Sequence, residues 1–149
     1  MFETKNGVRL FGHPLHALLI HFPMGLLPIS LLWDLIAVWT DDSIWWELGF
    51  WCAAAGVAFA FFAAVPGFID YIFISDKPAA EKAALFHMVI MLTAVAFVAV
   101  SVLLRIHDHS PEGVKIFLSL CFSLFGVAGL VIGGWFGGEL VYRHQIGRK

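Results

Sequence analysis

Four long stretches of this chain carry no formally charged residue: 15–33, 48–69, 83–104 and 116–138. They run 19, 22, 22 and 23 residues. About 20 mostly apolar residues at 1.5 Å rise are enough for a helix to cross a bilayer. Each stretch therefore predicts a transmembrane helix. A globular core of four buried helices would need amphipathic helices around it, and the sequence shows none.

Composition agrees. Only 13% of the 149 residues are charged and 60% are hydrophobic, where a soluble domain carries about 25% charge. So little charge cannot coat a water-facing surface. A small soluble enzyme, a disordered chain and a basic nucleic-acid binder are excluded. Two cysteines make no disulfide framework; Cys52 and Cys121 read as structural thiols.

Short links join the helices: Thr40-Asp41-Asp42-Ser43, Ser75-Asp76-Lys77-Pro78, and residues 107–113. Such links force antiparallel neighbours. The expected fold is all-α: one integral-membrane, up-down bundle of four helices, about 14–39, 44–73, 79–105 and 114–142. Residues 1–12 are too few for a domain, and no internal repeat is evident. Helix 1 makes a poor signal peptide.

Lys5, Arg9, Lys77, Lys82, Arg143, Arg148 and Lys149 gather at one end of this topology, Arg105 and Lys115 at the other. The excess predicts both termini in the cytoplasm. Trp39, Trp45 and Trp46, with Asp41, Asp42 and Glu47, mark the opposite face as an interfacial belt. The expected location is a membrane that borders the cytoplasm, crossed four times.

The seven histidines cluster. His13, His16 and His21 stand at the entry of helix 1, His87 early in helix 3 and His144 at the exit of helix 4. All five fall on the predicted cytoplasmic side. An ionisable residue inside a membrane is costly, which makes it a candidate for function. The plain alternative is a hydrogen bond to a neighbouring helix.

Two histidines on different helices at one depth suit bis-imidazole ligation of haem b. His21 lies about 10 Å and His87 about 7–8 Å along their helices, so they form the first expected pair. His16 or His13 with His144 forms a second. Arg9, Lys82 and Arg143 suit haem propionates. Gly129, Gly133 and Gly137 line one face of helix 4 and serve either a macrocycle or close helix packing. Asp70 is an expected partner for the free N–H of a ligating histidine, or an interfacial residue facing water. The rival centre is zinc or copper on His13, His16 and His144. Met88 and Met91 read as packing residues.

Asp34 stands alone inside helix 1 and can bond across helices, relay protons or snorkel. Ser30, Ser101, Ser119 and Ser123 have no adjacent base and read as helix–helix hydrogen-bonders. No hydrolytic constellation is visible. Pro23, Pro28 and Pro66 interrupt helices and free carbonyls.

These segments resemble a bacterial family of predicted membrane proteins, domain of unknown function 2231. Gly12-His13-Pro14-Leu15-His16, with His21-Phe22-Pro23-Met24-Gly25-Leu26-Leu27, is similar to its opening. Pro66-Gly67-Phe68-Ile69-Asp70-Tyr71 and His87 are similar to its middle. Gly133-Gly134-Trp135-Phe136-Gly137-Gly138-Glu139-Leu140-Val141-Tyr142-Arg143-His144 is similar to its closing signature. Ala17 departs from the family, which often has proline there. Some relatives are joined to c-type cytochrome modules, so the resemblance implies an electron-transfer setting.

The expected function is electron transfer by a membrane-embedded protein with one or two b-type haems, the first held by His21 and His87 and the second by His16 or His13 with His144. It would be the redox subunit of an oxidoreductase, exchanging electrons with quinone or a cytochrome, alone or as a homo-oligomer. The alternatives are a zinc or copper protein, including a transporter, and a non-catalytic subunit of a larger complex.

Overall fold

In a bilayer every backbone polar group must be satisfied inside the protein, and a helix does this within its own segment. The computed structural model describes residues 2–3, 7–74 and 78–146. Lys5, Arg148, Lys149 and the link 75–77, with its Lys77, lie outside the described residues.

The helices are α1 (Leu15–Leu19), α2 (His21–Thr40), α3 (Ser43–Ile72), α4 (Pro78–Leu104) and α5 (Val114–Tyr142). The first expected helix is thus divided at Ile20. Pro23 has no N–H for the Leu19 carbonyl, which weakens the ladder there. Bonds from Ile20 N to the His16 carbonyl and from Met24 N to the Ile20 carbonyl, both 3.1 Å, carry it across. Leu15–Thr40 is therefore one span of 26 residues. Left-handed Asp41 (φ 53°) ends α2, and the Asp42 carboxylate caps α3 by accepting from Ile44 N at 3.0 Å. Pro78 opens α4, where its missing donor costs nothing.

Each of the four spans is long and apolar enough to cross a membrane, and only a third or less of each is buried inside the protein. Trp39, Phe62, Val131 and Trp135 point outward among many large apolar residues. Helices apolar on all sides meet lipid, not water. The chain is an all-α, four-helix membrane protein.

A small antiparallel sheet precedes the helices, which the sequence reading did not foresee. Strands β1 (Phe2–Glu3), β2 (Arg9–Leu10) and β3 (His13–Pro14) pair in that order. The two-residue turn between β2 and β3 has positive φ at Phe11 (50°) and Gly12 (81°). Positive φ at both positions matches the twist of a tight hairpin.

The closest packing is α2 on α3 and α4 on α5; α3 with α4 and α2 with α5 meet less extensively. The bundle is thus two helical hairpins placed side by side, with α2 diagonal to α4. Its core holds Leu27, Ala53, Ala94, Val95, Val98 and Leu130.

The hairpins correspond residue by residue. His16 matches His87, Leu27 matches Val98, Ser30 matches Ser101 and Asp34 matches Arg105, all at one constant offset. On the return helices Ala63 matches Gly133, Gly56 matches Gly126 and Gly67 matches Gly137, one residue shorter. The packing corresponds too. A Cβ on Gly56 would meet Leu27 Cδ2 at 2.5 Å, and one on Gly126 would collide with Val98 Cγ2. The bundle therefore has a pseudo-two-fold axis along its length, where sequence alone showed no repeat. Apart from these positions, most equivalent pairs along the first helices of the two hairpins differ in residue type, which hides the relationship.

Candidate functional site: two histidines on the pseudo-two-fold axis

At the N-terminal end of the bundle, His16 and His87 face one another across the seam between the hairpins. Their ring centroids are 6.3 Å apart and their planes cross at 83°. Both are partly buried.

Each ring is fixed in the same way. His16 Nδ1 lies 2.8 Å from the Ala63 carbonyl on α3, 47 residues along the chain. His87 Nδ1 lies 2.8 Å from the Gly133 carbonyl on α5, 46 residues along. A carbonyl only accepts, so each Nδ1 must be the protonated nitrogen that donates. In the neutral ring this leaves Nε2 with a free lone pair. Each ring also rests on a glycine one turn beyond its carbonyl. A Cβ on Gly67 would stand 2.7 Å from His16 Nδ1, and one on Gly137 would stand 3.0 Å from His87 Cε1. Larger residues would push the rings away. Gly133 is likewise filled by Met91, whose Sδ would lie 2.6 Å from an added Cβ; Met91 is a packing residue.

The expected partner of His87 was His21, and the structure puts His16 there instead. His21 is five residues further on, about 140° around the helix, and cannot face the same seam. Its ring is exposed, with Nδ1 3.2 Å from the Leu18 carbonyl of its own turn. His13 is exposed in β3, outside the helix. His144 follows the end of α5, its backbone N–H donating to Glu139 at 3.2 Å. Among the described residues no three His, Cys, Asp or Glu side chains gather as metal ligands. The three-histidine set of His13, His16 and His144 is therefore not assembled.

Asp70 does not hold a histidine either, because carbonyls already take both Nδ1 protons. Its Oδ1 accepts the Val8 N–H at 2.7 Å, and a Cβ on Gly7 would crowd the same oxygen. Asp70 anchors the N-terminal hairpin onto α3. Arg9 is buried in that hairpin and donates to the Gly12 carbonyl at 3.2 Å. Arg143 is mostly exposed and pairs with Glu139 at 2.6 Å. Lys82 lies over the Phe86 ring at 6.0 Å.

The opposite end of the axis carries a residue the sequence reading passed over. Arg105 is wholly buried and donates to Asp34 Oδ1 at 2.7 Å; neither side chain is exposed. Ser123 Oγ donates to Ser101 Oγ at 2.9 Å, and Ser101 Oγ to the Ser119 carbonyl at 3.0 Å. Ser101 and Ser123 thus link α4 to α5 through their side chains, as expected; Ser119 takes part only through its backbone carbonyl, and Ser30 bonds within its own helix, to the Leu27 carbonyl at 2.7 Å. Asp34 bonds across helices. The available signal was a lone carboxylate in helix 1 and a lone guanidinium just past helix 3, at one depth.

The family model of predicted membrane proteins, DUF2231, matches residues 12–149. The chain belongs to this family. The match spans all four helices, both histidines of the pair, and the Asp34–Arg105 bridge. No curated protein and no solved structure matches the chain. Membership in DUF2231 states a membrane protein and leaves its chemistry to the residues.

Proposed function

We propose that the chain is a membrane-embedded electron-transfer protein that binds one haem b through His16 and His87. One observation carries this reading: two imidazoles, held by backbone carbonyls at Nδ1, face each other from the two hairpins.

Haem needs no more than two protein ligands, since the macrocycle supplies the other four nitrogens. Zinc takes three or four protein ligands, and the described residues offer no such group. The His16 and His87 ring centroids stand 6.3 Å apart, and these two side chains would hold the haem. When bound, haem supplies one-electron redox chemistry. The chain does the rest. The Ala63 and Gly133 carbonyls fix the ring tautomer and raise the basicity of Nε2. Gly67 and Gly137 leave the rings room beside the helices. Arg9, Lys82 and Arg143 lie on the flanking segments and suit propionates. Quinone or a cytochrome is the proposed partner, in a bacterial inner membrane with the histidine end cytoplasmic.

The test is a reduced-minus-oxidised spectrum of protein purified in mild detergent, with a metal assay on the same sample. A sharp α-band at one haem per chain is expected, lost in His16→Ala and His87→Ala and retained in His21→Ala. Protein that stays colourless after incubation with haem overturns the proposal. Stoichiometric copper without a Soret band would assign the pair to two-coordinate copper instead.

A further inference from the structure

The far end of the axis is polar, buried and incompletely satisfied. Asp34 and Arg105 are wholly buried. Arg105 occupies Asp34 Oδ1, but Asp34 Oδ2 has no hydrogen-bond partner, and neither has Ser119 Oγ. The remaining Arg105 bonds are long: Nε to the Ser101 carbonyl and Nη2 to Ser101 Oγ, both at 3.4 Å. This layer therefore holds a spare carboxylate acceptor, a spare hydroxyl and under-used guanidinium donors.

Orphaned buried polar atoms are rare. Two in one layer, on α2 and α5, have the spare bonding capacity that an internal water fills. Ionisable residues inside membrane spans commonly mark proton paths. We propose that this layer is a hydrated proton-exchange site, in which Asp34 takes a proton from water and returns it to the same face of the membrane. The step is a simple transfer: Oδ2 gains a proton from hydronium, which becomes water, and the reverse restores both. No electron moves.

The neighbours fit this role. Gly49 of α3 packs so closely on Asp34 Oδ1 that any Cβ would collide with it. Ser30 shares the helix of Asp34, and Ser119 and Ser123 approach from α5. The titratable or charged groups in reach are Arg105, after α4, and Cys52 on α3. Entry is short on one side. Arg105 lies 5.8 Å over the Trp46 ring, and Ile106, the next residue, is half exposed. At the rim, Glu47 Oε2 and His109 Nδ1 meet at 2.7 Å. On the other side, Leu27 and Val98 are wholly buried in the apolar core. The layer thus borders the protein surface at one end and the apolar core at the other, and the site is separate from the histidines, about 27 Å away along the helix.

Infrared spectroscopy of the full chain in lipid nanodiscs tests this, with no cofactor required. The double variant His16→Ala/His87→Ala serves as a second background. A protonated-carboxyl band is expected to grow as pH falls. It should vanish in Asp34→Asn, shift in Ser119→Ala and move within minutes in D2O. Should Asp34→Asn fail to fold, Asp34→Glu must shift the same band. A chain with no band sensitive to residue 34 across its folded pH range carries a dry, permanently ionised pair, and the proposal falls. A band unmoved after hours in D2O overturns it equally.

Discussion

His16 and His87 occupy equivalent positions in two helical hairpins, and each donates its Nδ1 proton to a carbonyl one turn before a glycine. A pair built in this way has both Nε2 lone pairs free at once. Neither ring depends on the other for its orientation.

The glycines should therefore matter as much as the histidines. Gly67→Leu or Gly137→Leu is expected to lower haem occupancy at least tenfold while the helices remain folded. The measures are Soret absorbance per chain and far-ultraviolet circular dichroism. Gly134→Ala is the control, because its Cβ would meet only Met24 Cε at an ordinary 3.5 Å.

Arg105→Ala should be among the most destabilising single changes. It would leave the buried Asp34 carboxyl without its cation, and removing one partner of a buried ion pair costs about 3–5 kcal/mol. Asp34→Ala/Arg105→Ala removes both charges and should cost less than the sum of the single changes. Unfolding of the four proteins in mixed micelles gives this double-mutant cycle. Additive effects would mean that the two side chains do not interact.

Close packing between the core helices can be probed with single methyl groups. Gly126→Ala must displace Val98 or the Ala94 carbonyl, which lies 2.9 Å from the new Cβ. Overpacking of this kind costs about 1–3 kcal/mol. Gly25→Ala meets nothing within 4 Å and should leave the thermal midpoint unchanged or raise it slightly.

The Asp70 anchor predicts a local effect. Asp70→Ala removes the carboxylate that accepts the Val8 N–H, a charge-assisted bond worth about 1.5–3 kcal/mol. Hydrogen exchange at Val8 and proteolysis before Leu15 should accelerate roughly tenfold or more. The α4–α5 hairpin should keep its protection. Equal loss of protection in both hairpins would show that Asp70 supports the whole bundle.

Parts of this architecture were legible in the chain because they depend on composition over whole segments. Windows without charge locate spans wherever they pack, since lipid imposes the same demand on each. The links at Asp41-Asp42 and Pro78 could be read because capping and proline chemistry are local. The small sheet at Arg9–Leu10 and His13–Pro14 could not. It is two residues wide, and Phe11 at positive φ is an unusual choice for its turn.

The histidine pair shows where local reading ends. Sequence compared His21 and His87 by depth, which is a distance along a helix. Partnership also depends on the angle around the helix, and that is set by how the hairpins pack. The same limit hid Arg105, whose number places it at a helix end while its side chain turns inward to Asp34.

By itself, then, the sequence determined a four-span membrane protein with its ionisable side chains confined to a few depths. Only the tertiary structure decided which of those side chains meet. It did so by setting two hairpins about a common axis, so that positions far apart in the chain became neighbours. That pairing depends on helix rotation and close approach at Gly67, Gly137 and Gly49, which hydropathy does not encode.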